Sequence, residues 1–108
     1  MEMSKVKLKL GLRLLAGEDK TDFDGVYAGD FLSRAMSRVN EGDLWITIMN
    51  NINVIAVASL ADAAAVILAE DVMMDASVLE AASSKGVTVY SCSGSVYEIC
   101  RDIAEVLS

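Results

Sequence analysis

The stretch from Ile52 to Leu68 is almost wholly apolar, broken by Asn53, Ser59 and Asp62. It constrains the fold more than any other feature of the chain. It falls short of the roughly 20 residues that a bilayer span needs. An Asp near a bilayer centre also costs about 2.5–3.5 kcal/mol on insertion scales. The segment must therefore be buried within the protein, and Ala61-Asp62 supplies a tight turn that divides it. Before the turn, Ile52, Ile55, Ala56 and Leu60 make a helix that is apolar almost all round, so deep burial is expected. After the turn, Ala64 to Leu68 is a continuous apolar run bounded by Asp62 and Glu70-Asp71. That is the pattern of a central parallel strand.

The alternation extends in both directions. Leu44 to Met49 is rich in β-formers, with Trp45 placed in the core, and Asn50-Asn51 supplies turn and cap residues. Asp75 begins a helix carrying Val78, Leu79 and Ala82, which Lys85-Gly86 closes with a cation and a C-terminal glycine. Val87 to Tyr90 reads as the last strand. Ser95-x-x-Glu98 is a capping box that opens a final helix with Val96, Ile99, Cys100, Ile103 and Val106-Leu107 on one face. Upstream, Val26 to Ala28 is a short strand, and Phe31, Leu32, Ala35, Met36 and Val39 fall at helical spacing with Asp30 placed to cap them. Glu41-Gly42-Asp43 breaks that helix, and Gly17 to Asp24 is a polar connection ending at the Asp24-Gly25 turn. The start of the chain reads two ways. Val6, Leu8, Leu10, Leu12 and Leu14 alternate as in a half-buried strand. Alternatively, Ser4 caps a short helix that Gly11 ends, and Leu12 to Ala16 is the first strand. The expected architecture is one α/β domain over residues 1–108, with a mainly parallel sheet of four or five strands flanked by helices.

Composition narrows the function. Nine Lys and Arg against 16 Asp and Glu leave a net charge of −7, with no His. An acidic chain is a poor nucleic-acid binder, because that contact depends on clustered cations. The missing His removes the commonest general acid/base and the commonest metal ligand. Cys92 and Cys100 match no zinc or redox spacing and read as small buried side chains. Met1 to Leu10 lacks the apolar core of a signal peptide, so a cytoplasmic protein without membrane contact is expected. No phosphate-binding loop is present, since Gly17-Glu18-Asp19-Lys20-Thr21 lacks the glycine before the lysine. No enzyme activity, cofactor or metal is expected.

The runs Gly29-Asp30-Phe31-Leu32-Ser33, Gly42-Asp43-Leu44-Trp45-Ile46-Thr47 and Asn53-Val54-Ile55-Ala56-Val57-Ala58 resemble the DRTGG domain family. So do Ala64 to Leu68, Val78-Leu79-Glu80-Ala81-Ala82 and Gly86-Val87-Thr88-Val89. The resemblance spans essentially the whole chain. It implies a fold related to the N-terminal domains of HPr kinase/phosphorylase and of Mur ligases. It also implies a role like that in multidomain pyrophosphatases, where such a domain sits at a dimer interface within a nucleotide-regulated enzyme. The naming motif is degenerate here: Asn50-Asn51 stands where the family places Asp-Arg, and Ala69-Glu70-Asp71 where it places Thr-Gly-Gly. Glycines would let a ligand approach the backbone closely and an Arg would pair with phosphate, whereas Glu70 and Asp71 repel an anion.

In open parallel sheets, ligands bind beyond the carboxyl ends of the strands. That rule nominates Thr47, Asn50 and Asn51 after one strand, Glu70 and Asp71 after the next, and Ser91, Ser93, Gly94 and Ser95 after the last. The Ser-Cys-Ser-Gly-Ser segment can cradle an anion in its backbone amides or merely cap a helix. Two functions follow as expectations. One is a dimerising regulatory or interaction domain serving a larger metabolic or redox assembly. The other is a sensor of a small anion such as an adenine nucleotide. Met73 and Met74 read equally as contact surface or as packing under a helix. A homodimer is expected, because the all-apolar helix needs cover on the side that the sheet leaves bare.

Overall fold

Residues 1–108 are described by a computed structural model. The elements run α1 (Ser4–Leu10), β1 (Arg13–Ala16), β2 (Gly25–Ala28), α2 (Leu32–Arg38), β3 (Asp43–Thr47), α3 (Ile52–Ala61), β4 (Ala65–Leu68), α4 (Ala76–Ser84), β5 (Val89–Ser91) and α5 (Val96–Leu107). They form one five-stranded sheet in the order β1-β5-β4-β3-β2. The pairs from β2 to β5 are parallel, and β1 closes the β5 edge antiparallel to it. The α/β class and the five strands are as expected; the sheet is mixed because β1 runs against the rest.

Strand register decides which residue serves which layer. Trp45, Val66 and Val89 are aligned across β3, β4 and β5 and face a core shared with α2, α3 and α4. Their neighbours Leu44, Ile46, Ala65, Ile67 and Tyr90 face the opposite core with α1 and α5. Successive side chains on a strand point to opposite faces, so a sheet buried on both sides needs the continuous apolar runs read from the sequence. Trp45 is fully buried, and its indole N–H donates to the Gly29 carbonyl at 3.0 Å.

Local signals succeed where backbone geometry alone decides them. The N-terminus is helical: Gly11 ends α1 at φ 64°, a left-handed conformation that costs glycine little. Asn51 caps α3, its side chain accepting from the Asn53 amide at 2.9 Å, and Ser95 with Glu98 forms a complete capping box on α5.

Other expectations need correcting. Ser4 lies inside α1 and the preceding Met3 makes no side-chain cap. Asp30 does not cap α2, whose N-cap is Phe31. Its carboxylate instead accepts from the Thr47 hydroxyl at 2.7 Å and the Ile48 amide at 2.9 Å, which holds it at the end of β3. The α3 helix is not buried all round: Val54, Ile55, Val57 and Ala58 are buried, while Ile52 and Leu60 lie outward, 48% and 82% exposed. The α2 stripe is likewise split, with Ala35 and Val39 buried and Phe31 and Met36 exposed. Met74 packs in the core and Met73 is exposed.

The polar connection between β1 and β2 is stitched to β5. The buried Tyr90 hydroxyl donates to Asp19 at 2.5 Å and accepts from the Lys20 amide at 2.8 Å, and the Thr88 hydroxyl donates to the Glu18 carbonyl. Lys7 of α1 pairs with Asp19 at 3.0 Å. Burial, with the Asp19 hydrogen bond, pushes the Tyr90 phenol up to about 12. The same hydrogen bond, with Lys7, holds the Asp19 carboxyl below its ordinary value.

Candidate functional site

The strand-end residues gather at one edge, in two groups. At the end of β3, Thr47 is fully buried and held by Asp30, and its Oγ also accepts from the Met49 amide at 3.1 Å. Asn51 is spent on the α3 cap. The Asn50 side-chain amide donates to the Met73 carbonyl at 2.8 Å, which ties this group to the loop after β4.

The second group lies between β4 and β5. The chain leaves β4 toward α4 on one face of the sheet and leaves β5 toward α5 on the other. Loops that part in this way open a crevice, the position where α/β sheets hold ligands. Here the crevice is closed by the protein's own backbone. The Glu70 amide donates to the Gly94 carbonyl and the Asp71 amide to the Cys92 carbonyl, both at 2.9 Å. Making that turn requires left-handed backbone at Glu70 (φ 58°) and Asp71 (φ 57°). Such conformations cost a non-glycine residue on the order of 1 kcal/mol or more. The resemblance read from the sequence sets these two positions against the family's paired glycines, the residue type that left-handed backbone suits best.

Charge at the crevice is balanced internally. Arg13 donates to the buried Ser91 hydroxyl at 3.2 Å and to the Asp71 carboxylate at 3.3 Å. Ser95 and Glu98 satisfy each other, and the Ser95 amide holds the Glu98 carboxyl below its ordinary value. Ser93 and Gly94 contribute to a neighbouring cleft of about 270 Å³ that also includes Lys9, Cys92, Glu98, Arg101 and Asp102. Its cations are already engaged: Arg101 binds Asp102 at 3.0 Å, and Lys9 reaches Glu105 at 3.8 Å. Cys92 and Cys100 are both free thiols, and burial pushes the Cys100 thiol up. No cluster of three or more carboxylate or thiol groups is arranged to hold a metal ion.

Two residues of this edge were not nominated from the sequence. Asp30 had a usable signal, since it follows the β2 strand as Asn50 follows β3. Arg13 had none, because it reaches this edge only through the antiparallel placement of β1.

The fold and its strand-end crevice define a small three-layer α/β module, with three helices on one face and two on the other. The chain belongs to the DRTGG domain family, whose model matches residues 9–106. Its fold is similar to that of the CBS and DRTGG domains from the regulatory region of a Clostridium perfringens pyrophosphatase, crystallised with its activator diadenosine tetraphosphate. The two are 15% identical with a TM-score of 0.78, covering 94% of this chain and 45% of that one. The chain thus spans less than half of that structure. No curated protein sequence matches it.

Proposed function

We propose that this chain is a non-catalytic regulatory or interaction domain that dimerises and serves a larger metabolic or redox assembly. The observation that carries this reading is the outward face of α3. Ile52, Asn53, Ala56, Ser59 and Leu60 are all exposed there, and none is charged. α3 is the middle helix of its layer, packed between α2 and α4. Two chains of net charge −7 meet with least repulsion on a surface without charges. A self-complementary contact through this face would cover the apolar side chains that the sheet leaves bare. Family membership supports the regulatory reading. So does the absence of spare chemistry at the strand ends, where the Thr47, Ser91 and Ser95 side chains are already engaged. No helix is long and apolar enough to cross a membrane. Sedimentation equilibrium at micromolar concentration tests the proposal: the expected result is twice the chain mass, and a monomer mass unaffected by salt defeats it.

A second reading, a sensor of an adenine nucleotide at the strand ends, draws on the Ser93 and Gly94 amides, which no protein group accepts from. Calorimetry with adenine nucleotides separates the two readings. Micromolar binding that is lost in Ser93→Glu favours sensing through Ser91, Ser93, Gly94 and Ser95.

A further inference from the structure

The chain has four arginines, Arg13, Arg34, Arg38 and Arg101. Arg13 and Arg101 are each paired with a carboxylate, whereas Arg34 and Arg38 have no acidic partner in a chain that carries 16 acidic residues. The unpaired two lie one helical turn apart on α2, spacing that puts both on the same face. Together with Tyr27 they line a cleft of about 400 Å³. Tyr27 belongs to β2, the strand at the open edge of the sheet. Independently of the strand-end crevice and of the α3 face, we infer that Tyr27, Arg34 and Arg38 form a binding site for a phosphorylated small molecule.

The third wall of the cleft is fixed by a small residue. A Cβ at Gly29 would lie 2.9 Å from the Tyr27 hydroxyl oxygen and 3.1 Å from its ring carbons, so the ring rests where only glycine leaves space. The ring is half-buried, and of the tyrosine hydroxyls it is that of Tyr90, not of Tyr27, that is hydrogen-bonded within the protein. A phenol that can donate and two guanidiniums presented together form a donor set for an oxyanion. Arginine holds phosphate through two parallel N–H groups, geometry that a lysine ammonium cannot reproduce. The volume falls within the range of small-molecule sites. Two unpaired guanidiniums give the cleft a local positive charge on a chain of net charge −7, which draws anions to it. The strand-end crevice, by contrast, carries Glu70 beside an Arg13 that is already paired with Asp71.

Titration calorimetry at low ionic strength, with pyrophosphate, AMP and citrate as probes, tests this site. Wild-type protein binds pyrophosphate and AMP, and citrate binds more weakly than either. Replacing both arginines, R34Q with R38Q, lowers phosphate affinity by about tenfold or more for each guanidinium removed. The double lysine variant, R34K with R38K, keeps the charge and recovers only part of the affinity. The loss caused by R34Q with R38Q is the same in a Ser93→Glu background, which separates this cleft from the strand-end reading. Both arginines are exposed, so the variants retain the wild-type melting transition. The proposal is overturned if wild-type protein shows no phosphate binding at millimolar concentration. Unchanged binding in the glutamine variant or citrate binding as tight as pyrophosphate also defeats it.

Discussion

Helices α3 and α5 perform the same task on opposite faces of one sheet, yet their outer surfaces differ in kind. α5 buries Ile99 and Ile103 and turns Tyr97, Glu98, Arg101 and Glu105 to solvent. α3 buries Val54, Ile55, Val57 and Ala58 and turns Ile52, Ala56 and Leu60 the same way. A helix with a charged stripe announces its orientation, because only one face can be buried without desolvating charge. A helix without charges satisfies the inward requirement equally well and leaves its outer face without an assigned environment. The difference teaches that inward packing and outward chemistry are separate constraints, and that α3 obeys only the first within this chain.

Breaking the inward half of each helix should show that the two are equivalent there. Ile55→Ala in α3 and Ile99→Ala in α5 each remove a fully buried side chain. Each is expected to lower unfolding free energy by about 2–5 kcal/mol, measured by urea denaturation. A loss confined to one helix would mean that the two layers are not equally part of the core.

The outward half should separate them. Leu60→Glu, at a position 82% exposed, places a charge on the α3 face and should raise the dissociation constant of the proposed dimer by about tenfold or more, roughly 1.4 kcal/mol. The monomer's melting temperature should hardly move. Tyr97→Glu on α5, at a position 72% exposed, should leave the association state unchanged. Sedimentation velocity across a concentration series reads both. Equal effects from the two substitutions would remove the distinction drawn here.

Smaller effects belong to the helix starts. Asn51→Ala and Ser95→Ala each delete an N-cap acceptor and should cost about 1 kcal/mol. In Ser95→Ala the reciprocal contact, donated by the residue 95 backbone amide to the Glu98 carboxylate, still forms, so the loss there should not exceed that of Asn51→Ala. Thermal melts of the two variants side by side provide the comparison.

The effect that changes only at high pH, and the one most specific to the α1/α5 side, comes from Tyr90. Its phenol is raised from 10.0 to about 12 in the folded protein. A raised value means that the folded state favours the protonated phenol. Its contribution is fully present below pH 10 and is lost as pH rises through about 12. Absorbance titration should show the Tyr90 phenol ionising late, and Tyr90→Phe should remove that late step. A titration unchanged by Tyr90→Phe at high pH would contradict the buried Tyr90–Asp19 contact.

How much of this was legible depends on how local each cause is. The continuous run Ala64 to Leu68 announced β4 because any strand buried on both faces must be apolar at successive positions. Gly11, Asn51 and the Ser95–Glu98 pair announced helix ends because caps are decided within a few residues. Asp30 was misplaced for the same reason: it has the composition of a cap, but the Thr47 hydroxyl and Ile48 amide, brought alongside by β2–β3 pairing, compete for its carboxylate.

By itself, then, the sequence determined the α/β class, the alternation of elements and which residues follow the strand ends. These follow from periodicity and capping, which are short-range. Only the tertiary structure decided the direction of β1, and with it the reach of Arg13 to Ser91 and Asp71. It also decided that the crevice between β4 and β5 is closed by left-handed backbone at Glu70 and Asp71, and that α3 keeps one apolar face open. Each of these rests on segments distant in sequence and adjacent in space, and whether a polar group is satisfied or an apolar face covered depends on which neighbours the fold delivers.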